Sequence, residues 1–445
     1  MTDLTAAPAP APTAGPKHRV LRTGSSTLIA FALVTLSVMW LAGKGMLEAS
    51  LHARDLTLDI YGEADVARAA SRFLDLGFTD HAGIPDVAYG DLFAKQGGKF
   101  DKQELCAEPH DCFYTHNPPG SVYLYALVSA LHTPANPYLP RIVNVLLCVA
   151  ALGWFLRAVW KWLSPWNAAV IAVLLTQIPM VGNNMHGTCY HGHLMALFLA
   201  EMAVALTIVM SGKITAARLI ALGLLTFVSG WFSYEFAGIC AFSPLLVTFL
   251  RDDWRERASL KRALWLTLVA GGGFTLAQVL HLVQSAVFFG SFRLALRDLA
   301  TAGAKRTSGV GSSYKNNFVL GHPIGTWLAY WTSLVGRPEF FDGNFFAWLL
   351  SSGTVLALRG QDSIILRWRG YGLHWAPRRR YVFVVTGALL VASMWITAMP
   401  QHAFVHVHFL PRQFTLVCIV VMFVMARVFR IRPLDAAADP VPSTT

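Results

Sequence analysis

Two long, largely apolar runs decide what this chain can fold into: Ser26 to Gly43, with Met39 inside it, and Phe409 to Val428, with Met422 inside it. Each is about long enough to cross ~30 Å of hydrocarbon at 1.5 Å of rise per residue. A helix serving a soluble core seldom stays apolar on every face for that distance. Composition points the same way, with 55% hydrophobic residues, 14% charged residues and a mean hydropathy of +0.47. A soluble domain carries far more charge. The net charge of +11 does not signal nucleic acid. Its basic residues sit in short segments between apolar runs, and no basic stripe with interleaved aromatics occurs. Membrane lipids are the expected surroundings, and no nucleic-acid partner is expected.

Orientation follows from the basic flanks. Residues 1–25, rich in Ala and Pro, read as a disordered cytoplasmic tail. Lys17, Arg19 and Arg22 precede a full-length span with no small-residue cleavage site, so a retained signal anchor is expected. The first helix, at about 26–45, then leads to an outer loop over 46–137 that is rich in acids. The apolar stretch from Gly120 to Leu131 is too short to span upright, and counting it as a span would put Arg157 and Lys161 outside. It is therefore expected to lie flat at the interface. Spans follow at roughly 138–160, 166–182, 190–210, 215–233, 236–250, 262–289, 344–358, 381–399 and 409–428. Arg251 to Arg262 and Arg359 through Arg380 fall in inner loops, 290–343 forms a second outer loop, and 433–445 reads as a second disordered cytoplasmic tail. The expected fold class is an all-α polytopic membrane protein of about ten transmembrane helices, occupying 26–432, with both termini cytoplasmic in the cell inner membrane.

The outer face gathers the residues that carry chemistry. In YGEADVARAASRFLDLGF (61–78), Glu63, Ala67, Ala70 and Leu74 recur at helical spacing, which predicts a short surface helix. Glu63 and Asp65 lie in its first turn and Asp59 just before it. Carboxylates there are favoured by the helix dipole alone, by roughly 0.3–1 kcal/mol each. The same residue types also suit a general base or a metal ligand facing a polar cavity. Further on, Pro118 and Pro119 fix the backbone where an interfacial helix begins, and so hold His116 and Asn117 at the membrane surface.

An acidic surface helix followed some fifty residues later by a His-flanked Pro-Pro turn resembles the GT-C superfamily of polyprenyl-phosphate-dependent glycosyltransferases, which includes protein mannosyltransferases and aminoarabinose transferases. Gly62-Glu63-Ala64 stands where the family has Asp-Glu-x, and His116-Asn117-Pro118-Pro119-Gly120 stands at its proline turn. IPMVGNNMHGTCYHGHLMALFLA resembles the family's later helix–turn–helix, with His191 or His193 in place of the usual aspartate. GWFSYEFAG resembles a further turn, with Glu235 where Lys is common. The likeness covers roughly the first half of the chain. It implies transfer of a sugar from a polyprenyl-phosphate donor to a glycan, lipid or protein acceptor outside the cytoplasm, with inversion at the anomeric carbon. The family's base is the first acid of the pair, and Gly62 removes it, so Glu63, Asp65 or Asp59 is expected to serve.

Histidines mark the rest of the expected site. His186, His191 and His193 fall at one outer turn and His402, His406 and His408 at another; with His116 these make seven of the 15 histidines. Substrate binding is expected from His116, Asn117, His191, His193, Glu235, His402 and His406. Arg412, two residues inside the last span, would be costly unpaired, and its guanidinium suits a phosphate. The segment 290–320, with Arg293, Lys305 and Arg306, is basic despite lying outside, which suits a phosphate clamp or anionic lipid equally. The residues call for no definite cofactor; in the alternative, a divalent metal ion sits on His191, His193 and His406. Cys106 and Cys112 bracket AEPHD and suit a disulfide, or with His110 and His116 a zinc knuckle. Two other functions remain open. A transporter would place ionisable groups within spans, where Glu201 and Gln278 occur. A His-ligated membrane metalloenzyme would show fuller clusters than HGTCYHGH and HAFVHVH.

Overall fold

The computed structural model describes residues 23–54, 63–89, 113–178, 181, 185–188, 193–253, 255–308, 363–368, 371–375, 378–401 and 410–433. Its α-helices are α1 (Thr23–Leu51), α2 (Glu63–Leu76), α3 (Gly120–Ser129), α4 (Tyr138–Trp162), α5 (Pro165–Thr176), α6 (Leu194–Ser211), α7 (Ala216–Phe232), α8 (Ala237–Arg251), α9 (Arg257–Phe288), α10 (Phe292–Ser308), α11 (Arg379–Ala398) and α12 (Leu410–Val428). Helices stand at all but one of the spans expected from sequence; the exception, 344–358, lies outside the described residues, as do Cys106 and Cys112. Among the described residues, four helices (α1 from Thr27, α4, α6 and α9) are long and apolar enough to cross a membrane. The chain is a multi-pass helical membrane protein.

Local sequence sets the helix ends. Ser164 accepts a hydrogen bond from the Asn167 amide at 3.0 Å, and Pro165 follows it at the first helical position, so α5 starts there. Gly290, at φ +63°, ends α9, and Ser291 Oγ accepts from the Leu294 amide at 3.4 Å to open α10. This is where the structure departs from sequence expectation. The second outer loop was expected to begin without a helix, but FRLALRDLATAGAKRTS carries enough helix formers to wind for 17 residues.

The helices pack in pairs, α4 on α6, α7 on α9, α8 on α9 and α11, and α11 on α12, with α1 against α4 and α5. Helix α6 is buried along most of its length, while α1 and α9 turn Leu28, Trp40, Leu268 and Val287 outward. Outward apolar side chains on long helices are what a lipid-facing surface requires. The two ends of the bundle differ in chemistry. At one end arginines sit on helix C-terminal carbonyls: Arg251 donates to Val209 O and, at 3.4 Å, to Met210 O, while Arg380 donates to Arg251 O at 2.8 Å. Cations there complement the negative ends of the helix dipoles. The same end carries a three-stranded antiparallel sheet of β1 (Ser363–Trp368), β2 (Tyr371–Trp375) and β3 (Phe429–Pro433). The sheet is an addition to the all-helical fold expected: β1 and β2 come from the expected inner loop Arg359 through Arg380, and β3 directly follows the last span. At the opposite end lie α2, α3, the proline turn and α10.

Helices α7 and α9 cross at glycines. A Cβ on Gly273 would lie 2.2 Å from Gly223 O, whereas one on the adjacent Gly272 would meet nothing within 4 Å. Close backbone approach at a helix crossing is the common use of small residues in membranes. Gly273→Ala should therefore lower the thermal unfolding temperature in detergent, with an overpacking cost of about 1–3 kcal/mol. Gly272→Ala should leave it unchanged or raise it, because Ala favours helix over Gly by roughly 1 kcal/mol.

Candidate active site

Helix α2 is held by a single buried ion pair. Arg141, in the first turn of α4, is 0% exposed, and its Nη2 lies 2.7 Å from Glu63 Oε2. The Arg141 Nη1 donates to His52 O at the end of α1. The other Glu63 oxygen accepts from the Thr188 amide at 3.1 Å and the Thr188 hydroxyl at 3.0 Å. One carboxylate thus ties together α1, α2, α4 and the turn before α6. Burial pushes the Glu63 carboxyl above its ordinary value, while Arg141 and the two Thr188 hydrogen bonds oppose the rise. A general base needs a free lone pair within reach of its substrate. Glu63 has both oxygens engaged. Asp65 lies in the same first turn of α2.

One turn along α4, Asn144 extends the same network. Its Nδ2 donates to Gly187 O at 2.8 Å, which leaves Oδ1 to accept from His193 Nδ1, also at 2.8 Å. That contact fixes the proton on Nδ1, so His193 Nε2 is a lone pair when the ring is neutral. The ring is buried edge-on against Phe232, and Nε2 has no hydrogen bond. His193 therefore sits in the network that positions α2.

The proline turn docks differently. Pro119 precedes α3, and a Cβ on Gly120 would lie 2.5 Å from Trp231 O, so only glycine permits this approach to α7. Thr115 then staples two helices: its hydroxyl donates to Asp298 of α10 at 2.6 Å, and its carbonyl accepts from Ser285 of α9 at 3.0 Å. His116, its ring tilted against that of Tyr114 with centroids 4.7 Å apart, faces a cavity of about 290 Å³ between α9 and α10. Thr275, Gln278, Val279, Leu282 and Ser285 line one wall, at spacings that put them on one face of α9. Ala295, Leu299, Gly303 and Arg306 do the same from α10.

Beside the hydroxyl residues Thr115, Thr275 and Ser285, the polar groups of this cavity are His116, Tyr234, Gln278, His281 and Arg306. The Arg306 guanidinium lies 5.2 Å from the Tyr234 ring centroid. Burial pushes the Tyr234 hydroxyl up, with Arg306 opposing, so it stays a neutral donor. His281 donates from Nδ1 to Gln284 Oε1 at 3.1 Å, and its Nε2 is buried without a hydrogen bond. A permanent cation, a phenol and imidazoles converging on a pocket with apolar walls can hold the head of an anionic lipid.

Of the residues expected from sequence, His116 and Arg306 meet in this cavity. Glu235 is buried beside Tyr234, Asn117 lies part-buried in the proline turn, and Arg293 and Lys305 are exposed on α10. Asp59, His191, His402 and His406 lie outside the described residues, and of Arg412 only the backbone, in α12, is described. Among the described residues no three His, Cys, Asp or Glu side chains converge to hold a metal ion. Tyr234, His281 and Asp298 were not anticipated. Asp298 and Arg306, eight residues apart on one helix, carried the available signal.

Removing one partner of the buried pair leaves an uncompensated charge. Arg141→Leu should destabilise the protein by about 3–5 kcal/mol. The double substitution Glu63→Gln with Arg141→Leu should recover part of that loss, as read by thermal unfolding in detergent. Equal losses in the single and double variants would mean that the pair does not carry the docking of α2.

No protein-family model matches the chain, and no curated protein matches it. Among solved structures, the chain is similar to the crystal structure of ArnT from Cupriavidus metallidurans bound to undecaprenyl phosphate. The two share 14% identity at a TM-score of 0.47, over 91% of this chain and 60% of that one. The chain thus spans 60% of the length of the solved structure it matches.

Proposed function

We propose that this protein is a membrane glycosyltransferase that moves a sugar from a polyprenyl-phosphate donor to an acceptor hydroxyl on the non-cytoplasmic side of the inner membrane. The observation that carries this is the amphiphilic cavity between α9 and α10, with Arg306, His116, Tyr234 and His281 around apolar walls. Among the described residues no carboxylate is ion-paired with Arg306, which leaves its guanidinium for a phosphate. The cavity wall from Thr275 to Ser285 follows about 15 Å of α9, enough for the first isoprene units behind a phosphate head. The sequence resemblance in the acidic helix and the proline turn supports the same chemistry.

In this mechanism the acceptor oxygen attacks the anomeric carbon as the bond from that carbon to the phosphate oxygen breaks. The polyprenyl phosphate leaves with both bonding electrons, and Arg306 and His116 stabilise the charge it gains. A carboxylate of the segment 59–65 takes the acceptor proton. Glu63, locked to Arg141 and Thr188, acts as the positioning residue, which leaves Asp59 or Asp65 to be the base. The donor sugar and the acceptor are set by parts of the site that these residues do not define.

One observation favours transport instead. Glu201 is fully buried within α6, and its polar neighbour is the Cys240 thiol. Buried carboxylates in spans often lie on ion pathways.

Purified protein incubated with radiolabelled polyprenyl-phosphate sugars and membrane extract should transfer label. Arg306→Ala and His116→Ala should each lower kcat by about 10²-fold or more, the scale of losing one donor to a developing charge. Asp65→Asn or Asp59→Asn should abolish transfer, and Glu201→Gln should leave it intact. Transfer that survives Arg306→Ala undiminished, or that requires Glu201, would overturn the proposal.

A further inference from the structure

Several helix glycines stand where a side chain would collide. A Cβ would lie 2.2 Å from Gly223 O at Gly273, 2.5 Å from Trp231 O at Gly120 and 2.9 Å from Phe274 O at Gly230. At Gly43, Gly153, Gly272 and Gly303 a Cβ would instead meet nothing within 4 Å, and none of these four has a positive φ. Gly43, Gly153 and Gly272 are exposed, whereas Gly303 is half-buried and lines the cavity between α9 and α10. Glycine inside a helix is less stable than alanine, because it orders more backbone freedom. At Gly303 neither backbone conformation nor close approach accounts for that cost. What the missing side chain leaves is room inside the cavity.

That room lies at a defined level. Ala295, Leu299, Gly303 and Arg306 form the α10 wall, and residues three or four apart on a helix are neighbours on one face. Gly303 therefore lies between Arg306 and Leu299, about 4.5 Å of helix rise from Arg306. Val279 of α9 and Leu299 of α10 are 49% and 47% exposed although they line the cavity, so its rim is apolar and open. A lipid phosphate with its head on Arg306 passes Gly303 with its first carbons and leaves across that rim. An isoprene unit is wider than a straight alkyl chain, because it carries a methyl branch on a planar double bond. A straight chain leaves the space beside Gly303 unfilled and loses the contacts that a branch would make there.

We propose that Gly303 is the specificity-determining position of this cavity: its missing side chain admits the branched first unit of an isoprenoid phosphate and so selects isoprenoid over straight-chain lipid phosphates. The inference rests on the reading of the α9–α10 cavity as a lipid-phosphate site.

The test uses geranylgeranyl phosphate and hexadecyl phosphate, which have equal main-chain length and differ in branching and unsaturation. Each is titrated into the full-length protein in detergent and followed by native mass spectrometry. Wild type should bind geranylgeranyl phosphate roughly tenfold more tightly, the scale of small changes in an apolar pocket. Gly303→Leu should weaken geranylgeranyl phosphate by about tenfold or more and hexadecyl phosphate much less, so that the preference disappears. Gly303→Ala should give a smaller loss of the same sign with an unchanged or higher thermal unfolding temperature, which keeps the proposal testable if the Leu variant fails to fold. Gly272→Leu, exposed and outside the cavity, should keep the wild-type preference. Equal wild-type affinities, a preference unchanged in the Gly303 variants, or an equal fall for both lipids would overturn this inference and leave the cavity reading standing. Wild type that binds neither lipid would overturn both.

Discussion

The end of the bundle that carries α2 depends on one buried contact, the ion pair between Arg141 and Glu63. Neither group is tolerable alone in a water-free interior, and an isolated charge there costs several kcal/mol. Together they close a circuit: Arg141 reaches the last turn of α1, Glu63 reaches Thr188 in the turn before α6, and α2 is pinned across the top of α4. Asn144, three residues after Arg141, holds Gly187 and His193 in the same way. Short segments that would otherwise pay the full entropy of ordering are therefore fixed by two side chains of one helix.

The cavity is a second, separate construction. It arises because α10 turns back at Gly290 and Thr115 joins it to α9 through Asp298 and Ser285. That arrangement sets apolar faces of two helices opposite each other and leaves the polar groups of the proline turn and of Tyr234 around them. The pinning of α2 matters to the cavity through α3, since α2 packs on α3 and the Tyr123 hydroxyl donates to Gly83 O at 2.9 Å. The loop after α2 is closed in turn by Arg72, whose Nε and Nη1 reach Asp80 at 2.8 Å and Asp86 at 2.6 Å.

Helices were legible in the sequence because apolar runs and basic flanks state them directly. The short helix at Glu63 and the interfacial helix at Gly120 stood out by period and by the paired prolines. His116 and Arg306 were legible as site candidates for the same reason: polar residues at predicted outer turns. Three features were not. The partner of Glu63 is Arg141, 78 residues away, and no local pattern encodes a pair at that separation. Helix α10 was read as a loop because its charges and small residues mask its face pattern, which appears only when Ala295, Leu299 and Gly303 meet α9. The sheet was hidden because its strands are five or six residues long and lie between arginines that signalled a loop.

The central claim is that the α9–α10 cavity holds the phosphate head and the first isoprene units of a polyprenyl phosphate. The most direct measurement is photocrosslinking with a polyprenyl phosphate bearing a diazirine near its head, followed by peptide mapping. The account predicts adducts in 275–285 and 295–306, suppressed by excess unlabelled polyprenyl phosphate. Adducts confined to other helices, or adducts in those segments that unlabelled lipid does not displace, would contradict it.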